Sequence, residues 1–382
     1  MSTPLTVAQI LPQMNSGGVE RGTMEVNRAL VSAGHRSIVI SGGGRLVPRL
    51  EQEGGEHVSM QVWKKNPLSL LTIRKMRQWI QDVRPDILHA RSRIPAWITW
   101  LAWRRLPAND RPRFLTTNHG LSRPNLYSKI MTRGERVIAV SNTCRDHLLK
   151  SFPDLDPARV TVVHRGVDPA AFPYNHQPSE EWKAEWFRQY PQLRGKFVAL
   201  LPGRITRFKG HLDFIAALEM LKQRNIPVMG VIAGPEDPKR KRYLNELRER
   251  IVSAGLSSSI LFTGHRSDLH EVMSVSDVVI SSSVTPPESF GRTVLESLRL
   301  GRITLGYAHG GVGEVLGTIY PDGRIPKGQI GSLADGIERV TRGELSPPPP
   351  GNEFSLELML QNVLQVYEEM AGGIEQEARR AA

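Results

Sequence analysis

Glu288 and Glu296 stand eight residues apart in "PPESFGRTVLESLRLG" (286–301), on either side of a glycine-containing turn. The turn opens a helix. Backbone N–H groups at a helix start attract anions, because the first turn has unpaired donors and sits at the positive end of the dipole. Gly291 lets that backbone approach a ligand closely. A carboxylate one turn into the helix, Glu296, suits the paired hydroxyls of a ribose. Glu288, before the turn, suits the hydroxyls of a second sugar. Upstream, "LPGRITRFKG" places Arg204 and Lys209 five apart after an apolar strand. Two fixed cations there match a diphosphate, whose charge spreads over several oxygens. Phosphate held between two hydroxyl-binding carboxylates describes a nucleoside diphosphate sugar.

These residues need strand ends to hold them. "LTVAQILPQ", "HRSIVIS", "DILHARSR", "RFLTTNHG", "RVIAVS" and "RVTVVHRGVD" read as short apolar strands between helical stretches such as "TMEVNRALVSAG", "RKMRQWIQDV" and "AWITWLAWRRL". "DILHARSR" runs into a basic loop. Strand–helix alternation means βα units and parallel sheets. The pattern lapses over 171–195, rich in proline and charge, which reads as an interdomain segment. It resumes with "KFVALLPGR" and ends near Thr341, before "SPPPPG" and a last amphipathic helix. The expected division is 1–170 and 196–353, with 354–382 returning to the first domain. Ligands of open α/β sheets bind beyond the carboxyl ends of the strands. Gly17-Gly18 and His119 follow strands of the first half. Gly17-Gly18 lies outside any G-x-G-x-x-G pattern, so the dinucleotide signal is absent there.

The chain has 382 residues and one cysteine, Cys144, which excludes an internal disulfide and a cysteine-rich metal site. No long apolar run predicts a spanning helix, and the N-terminus has no secretory pattern, so a cytoplasmic protein is expected. The net charge of +12 falls in one half. Residues 1–168 hold 25 Lys and Arg against 13 Asp and Glu, whereas 169–382 hold 25 of each. Such asymmetry points to an anionic partner of the first half. Trp97, Trp100 and Trp103 beside Arg104 and Arg105 fit a helix packed on the sheet or, alternatively, one lying at a membrane interface.

In order along nearly the whole chain, "GGVER", "TTNHG", "VVHRGVD", "PGRITRFKG", "VIAGP", "ILFTGH", "PPESFGRTVLES" and "GGVGE" resemble the GT-B glycosyltransferases of family 4. The resemblance implies two Rossmann-like, doubly wound α/β domains facing a central cleft, with the C-terminal helix crossing back to the N-terminal domain. It implies a donor, expected to be UDP-linked, in the second domain. Arg204 and Lys209 would hold its diphosphate with the N–H groups of Phe290, Gly291, Arg292 and Thr293. Glu296 would hold the ribose, Glu288 the transferred sugar, and Arg266 would lie near the base. His119 would contact the sugar, and Gly17 and Gly18 would border the acceptor and phosphate. The family's chemistry retains anomeric configuration. No covalent nucleophile, metal or cofactor is expected, since no H-E-x-x-H or D-x-D stands at a strand end. "VVHRGVD" departs from the family in having His-Arg before its glycine where Pro-Asn is common. The expected acceptor is an anionic cell-surface glycan, best matched by lipopolysaccharide core, with peripheral association at the inner membrane. The alternatives are an exopolysaccharide lipid-linked acceptor and a sugar-nucleotide epimerase. Nucleic-acid binding would explain the charge but leaves the second half without a role and lacks a reading motif.

Overall fold

Apolar β-branched residues alternate with amphipathic helical stretches through the whole chain, and the computed structural model turns each stretch into one element. It describes residues 3–15, 17–64, 69–236 and 241–381. The elements are β1 (Thr6–Ile10), α1 (Gly18–Ser32), β2 (Arg36–Ser41), α2 (Val47–Gln52), β3 (Glu56–Ser59), α3 (Ser69–Val83), β4 (Ile87–Ala90), α4 (Arg93–Trp103), β5 (Arg113–Asn118), β6 (Arg136–Ala139), α5 (Asn142–Ser151) and β7 (Val160–Val162). There follow α6 (Glu180–Gln189), β8 (Phe197–Pro202), α7 (His211–Gln223), β9 (Val228–Ala233), α8 (Lys241–Ser253), β10 (Ile260–Gly264), α9 (Leu269–Ser274) and β11 (Val278–Ser281). The chain closes with α10 (Arg292–Arg299), β12 (Thr304–Tyr307), α11 (Gly310–Ile319), β13 (Arg324–Ile325), α12 (Ile330–Thr341) and α13 (Leu356–Ala381).

Two α/β units result. One takes residues 1–164 and 357–382, the other 165–356. The first sheet is ordered β3-β2-β1-β4-β5-β6-β7, the second β10-β9-β8-β11-β12-β13, and the pairs are parallel. In each sheet the winding reverses once, between β1 and β4 and between β8 and β11. Loops leaving adjacent strands there diverge to opposite faces and open a crevice at the carboxyl ends.

Residues 171–195 are no linker. Trp186 of α6 and Leu193 are buried against Val198, Leu200 and Val279 in the second unit. Proline and charge are spent on the exposed side of a packed segment. Ser179 caps α6, its hydroxyl accepting the Trp182 N–H, and Glu180 and Glu181 fill the first turn where the dipole favours them.

The tryptophans of α4 are packing residues. Trp97 donates its indole N–H to the Tyr127 carbonyl and Trp103 to that of Pro112. All three rings pack against the core of the first unit. Among the described residues no helix is long and apolar enough to cross a membrane.

α13 completes the first unit. Val363, Val366, Tyr367 and Met370 are buried at the helical spacing of one face. Each aliphatic side chain contributes about 1.5–3 kcal/mol by leaving water. The Tyr367 hydroxyl meets Nδ1 of buried His89 at 2.7 Å, while His89 Nε2 meets the Thr117 hydroxyl at 2.6 Å. Replacing Tyr367 by Phe leaves one imidazole nitrogen without its partner, at a cost of about 1–3 kcal/mol.

Candidate active site

The second reversal point gathers most of the residues singled out by spacing. After β8 the chain makes a short turn over Arg207–Lys209 and enters α7. After β11 it runs through Ser282–Phe290 into α10. Lys209 Nζ donates to Glu288 Oε1 at 2.8 Å, and the Ser283 hydroxyl donates to the same oxygen at 2.5 Å. The lysine and glutamate side chains are only 16% and 13% exposed, so water screens their attraction weakly and the ammonium is held in place. Leu201, Pro202, Ser281, Thr293 and Val294 close a small pocket around the pair.

Backbone shape makes this approach feasible. Gly203 has φ +143°, and Lys209 lies against it: a Cβ there would meet Lys209 Cε at 3.0 Å. Gly210, at φ +69°, presses on the Ser282 carbonyl, which a Cβ would meet at 1.8 Å. The loops leaving β8 and β11 are thereby locked together.

Gly291 caps α10 with φ +92°, a left-handed conformation that suits glycine. Thr293 lies in the first turn, and Phe290 is buried with its ring edge-on to Phe354 at 5.6 Å. Glu296 sits one turn in. Its Oε1 lies 3.1 Å from Arg292 Nε, so in this state the carboxylate is paired along its own helix. Arg204 is exposed and makes no ion pair among the described residues.

Arg266, expected beside the base, follows β10 at the side of the sheet. Its guanidinium forks onto Asp268, with Nε 2.8 Å from Oδ1, and lies 5.2 Å over the Trp186 ring. The fork is occupied by structural partners.

Three residues beyond those expected belong to this wall. Ser283 shares Glu288 with Lys209. His309 Nε2 meets the Ser283 carbonyl at 2.8 Å. Gly311 donates its N–H to the Glu288 carbonyl at 2.7 Å, and a Cβ on Gly311 would lie 2.2 Å from Phe290 Cα. The sequence signal was "HGG" after a strand, since adjacent glycines at a strand end mark close backbone contact. Buried His211 opens α7; desolvation, reinforced by neighbouring Lys209, lowers its pKa to about 4, so it is neutral at physiological pH.

In the first unit, Gly17 (φ +145°) and Gly18 open α1 after β1, and His119 follows β5. Gly17 also lies under the Glu20 carboxylate, which a Cβ would meet at 2.6 Å. His119 lines a cavity of about 340 Å3 with Pro12, Glu20, Arg91, Arg93 and Asn118. Cys144 is buried, its thiol set 3.4 Å from the Asn118 carbonyl, a packing role.

His176, His270 and Glu271 are the one group among the described residues whose donor atoms, all within 4.8 Å of one another, could hold a metal ion. Glu271 already bridges both imidazoles, at 2.6 Å to His176 Nε2 and 3.3 Å to His270 Nε2.

Two family models match in tandem. The one described as Glycosyltransferase Family 4 matches residues 16–171, and that described as Glycosyl transferases group 1 matches 183–349. A glycosyltransferase from Rickettsia africae ESF-5 superposes with a TM-score of 0.83 at 30% identity, over 97% of this chain and 99% of that one. Anabaena Alr3699/HepE, solved with UDP and glucose, has a TM-score of 0.73 at 18% identity, with 99% of each chain covered. WaaG, a glycosyltransferase involved in lipopolysaccharide biosynthesis, has a TM-score of 0.65 at 14% identity, covering 96% and 94%. The last two likenesses bear on the fold. The chain spans less than half the length of the first curated relatives it matches, at 28–29% identity.

Proposed function

Because the chain belongs to the GT-B glycosyltransferases of family 4, and is a transferase, we propose that it moves a sugar with retention from a UDP-linked donor to an anionic cell-surface glycan of the lipopolysaccharide-core type. The observation carrying the donor half is the sheltered Lys209–Glu288 pair at the β8/β11 reversal, next to the start of α10. An arriving diphosphate draws Lys209 and exposed Arg204 to its oxygens, and the α10 N-terminus adds backbone dipoles. Glu288, released from Lys209, accepts hydroxyl protons of the sugar. Glu296 exchanges Arg292 for the ribose hydroxyls.

In the reaction, the acceptor oxygen bonds to the anomeric carbon on the face the diphosphate leaves. The bond from that carbon to the phosphate oxygen breaks, its electron pair stays with the diphosphate, and the acceptor's proton passes to that leaving group. Charge grows on the phosphate in the transition state, and fixed cations stabilise it more than they stabilise the bound donor. No metal is required in this scheme, because Arg204, Lys209 and the helix supply the positive charge.

The acceptor half rests on charge. The excess of twelve positive charges within residues 1–168 draws an anionic acceptor, and with it the enzyme, to the membrane face that displays it. Calorimetry with UDP, GDP and their sugar conjugates tests the donor half. Saturable UDP binding that Glu296→Ala weakens is the expected result. Equal binding by wild type and the Glu296→Ala and Lys209→Ala variants removes the assignment.

A further inference from the structure

The first sheet reverses between β1 and β4, and Arg91 leaves β4 at that point. Its backbone N–H donates to the Ile10 carbonyl at 2.9 Å, tying it to the end of β1. The side chain is only 4% exposed, yet it lines the 340 Å3 cavity. Nη1 donates to Gln9 Oε1 at 2.5 Å, a neutral partner that is itself fully buried. Nε has no acceptor among the described residues. No carboxylate forms an ion pair with this guanidinium among the described residues. The Tyr367 hydroxyl and the buried Glu25 carboxylate act on it through space, but Glu25 makes its ion pair with Arg21, at 3.3 Å. A buried cation left in this state is costly unless a counter-charge joins it.

The same cavity receives the N-terminus of α4. Ser92 caps that eleven-residue helix without a side-chain hydrogen bond, leaving its first turn to other acceptors. Exposed Arg93 stands beside it, 5.2 Å over the Tyr127 ring. Glu20 on the α1 side is the acidic member of the wall. Two arginines against one glutamate leave the wall one positive charge in excess, before the helix dipole is added.

We propose that this pocket binds an oxyanion, a carboxylate or phosphate monoester carried by the acceptor sugar, with Arg91 as the buried counter-charge and Arg93 and the α4 N-terminus completing the site. The inference rests on the transferase reading and sharpens it: the acceptor is recognised by a charged substituent, and a neutral sugar of the same shape is discriminated against.

The full-length chain is titrated calorimetrically with glucuronate, glucose 6-phosphate and glucose, and separately with UDP. Wild type is expected to bind at least one charged sugar about tenfold or more tightly than glucose, the two arms telling carboxylate from phosphate. Arg93→Gln, on the surface, is expected to reduce that affinity several-fold with UDP binding unchanged, and Arg91→Lys to do the same with its charge retained but its fork lost. Indifference among the three sugars overturns the proposal, as does unchanged charged-sugar affinity in both variants. UDP binding without charged-sugar binding sinks this site alone. The reverse sinks the donor assignment and leaves this site standing.

Discussion

The two units share one winding and differ in how the reversal point treats its cation. In the second unit, Lys209 is paired with Glu288 and both remain within reach of solvent. In the first, Arg91 is buried against an amide and has no carboxylate in ion-pair contact among the described residues. A paired cation exchanges one anion for another as a ligand arrives and leaves, which suits a turnover site. A buried cation with a neutral partner stays fixed and selects for what can approach it. The same fold thus offers an exchanging site and a selecting one.

Removing the exchanging cation is the strongest way to break this contrast. Lys209→Ala is expected to lower turnover about 100- to 1000-fold, the usual loss when one charge-stabilising donor goes. Its thermal midpoint should fall modestly while the fold survives, because Glu288 loses its ammonium but keeps the Ser283 hydroxyl. A stopped sugar-transfer assay alongside thermal unfolding separates the two effects.

Acid tests a likeness instead of a difference, because each unit buries a neutral histidine. Burial lowers the pKa of His211 to about 4 and holds His89 well below its ordinary value. Below about pH 6.5 the unfolded chain takes up protons that the folded chain refuses. Stability is therefore complete above that pH and is lost as pH falls toward 4, by about 3 kcal/mol for His211 alone. Urea midpoints at pH 7.5 and 4.5 should show the loss, and His211→Phe should shrink it. A flat profile removes the claim.

Glu296→Ala is expected to weaken UDP binding about tenfold, by loss of hydrogen bonds to the ribose. It should leave charged-sugar binding by the first unit untouched. A parallel change in both would mean that the two sites are not independent. The smallest effect concerns metal: EDTA is expected to leave initial rates within about twofold, since Arg204, Lys209 and the α10 N-terminus together supply the positive charge the leaving group needs. Activity restored only by a divalent ion would reassign that charge.

Much of the second site was legible because its residues follow strands at fixed intervals. Glu288, Glu296, Arg204 and Lys209 could be placed from a strand end and a glycine turn alone. α11 carries no clear helical signal because Gly310, Gly311, Gly313 and Gly317 weaken its intrinsic helicity; packing of Gly311 against Phe290 compensates. The edge strand β3 is half-exposed and only four residues long, too short for a pattern to emerge. Arg266 could be located but not its Asp268 partner, a matter of side-chain direction. Arg91 read as one more charge in a basic loop. Nothing local separates a solvated arginine from a buried one; that depends on Gln9, 82 residues earlier.

The His89–Tyr367 hydrogen bond spans 278 positions and closes the first unit with the final helix. Translation therefore delivers the first 164 residues long before their cover. At about 5–20 residues per second, some 200 further residues take roughly 10–40 s. Throughout that interval the nascent unit presents an apolar face and an unmet imidazole to its surroundings. Assembly order places the transferase's second unit, finished first, ahead of the one whose strands precede it along the chain.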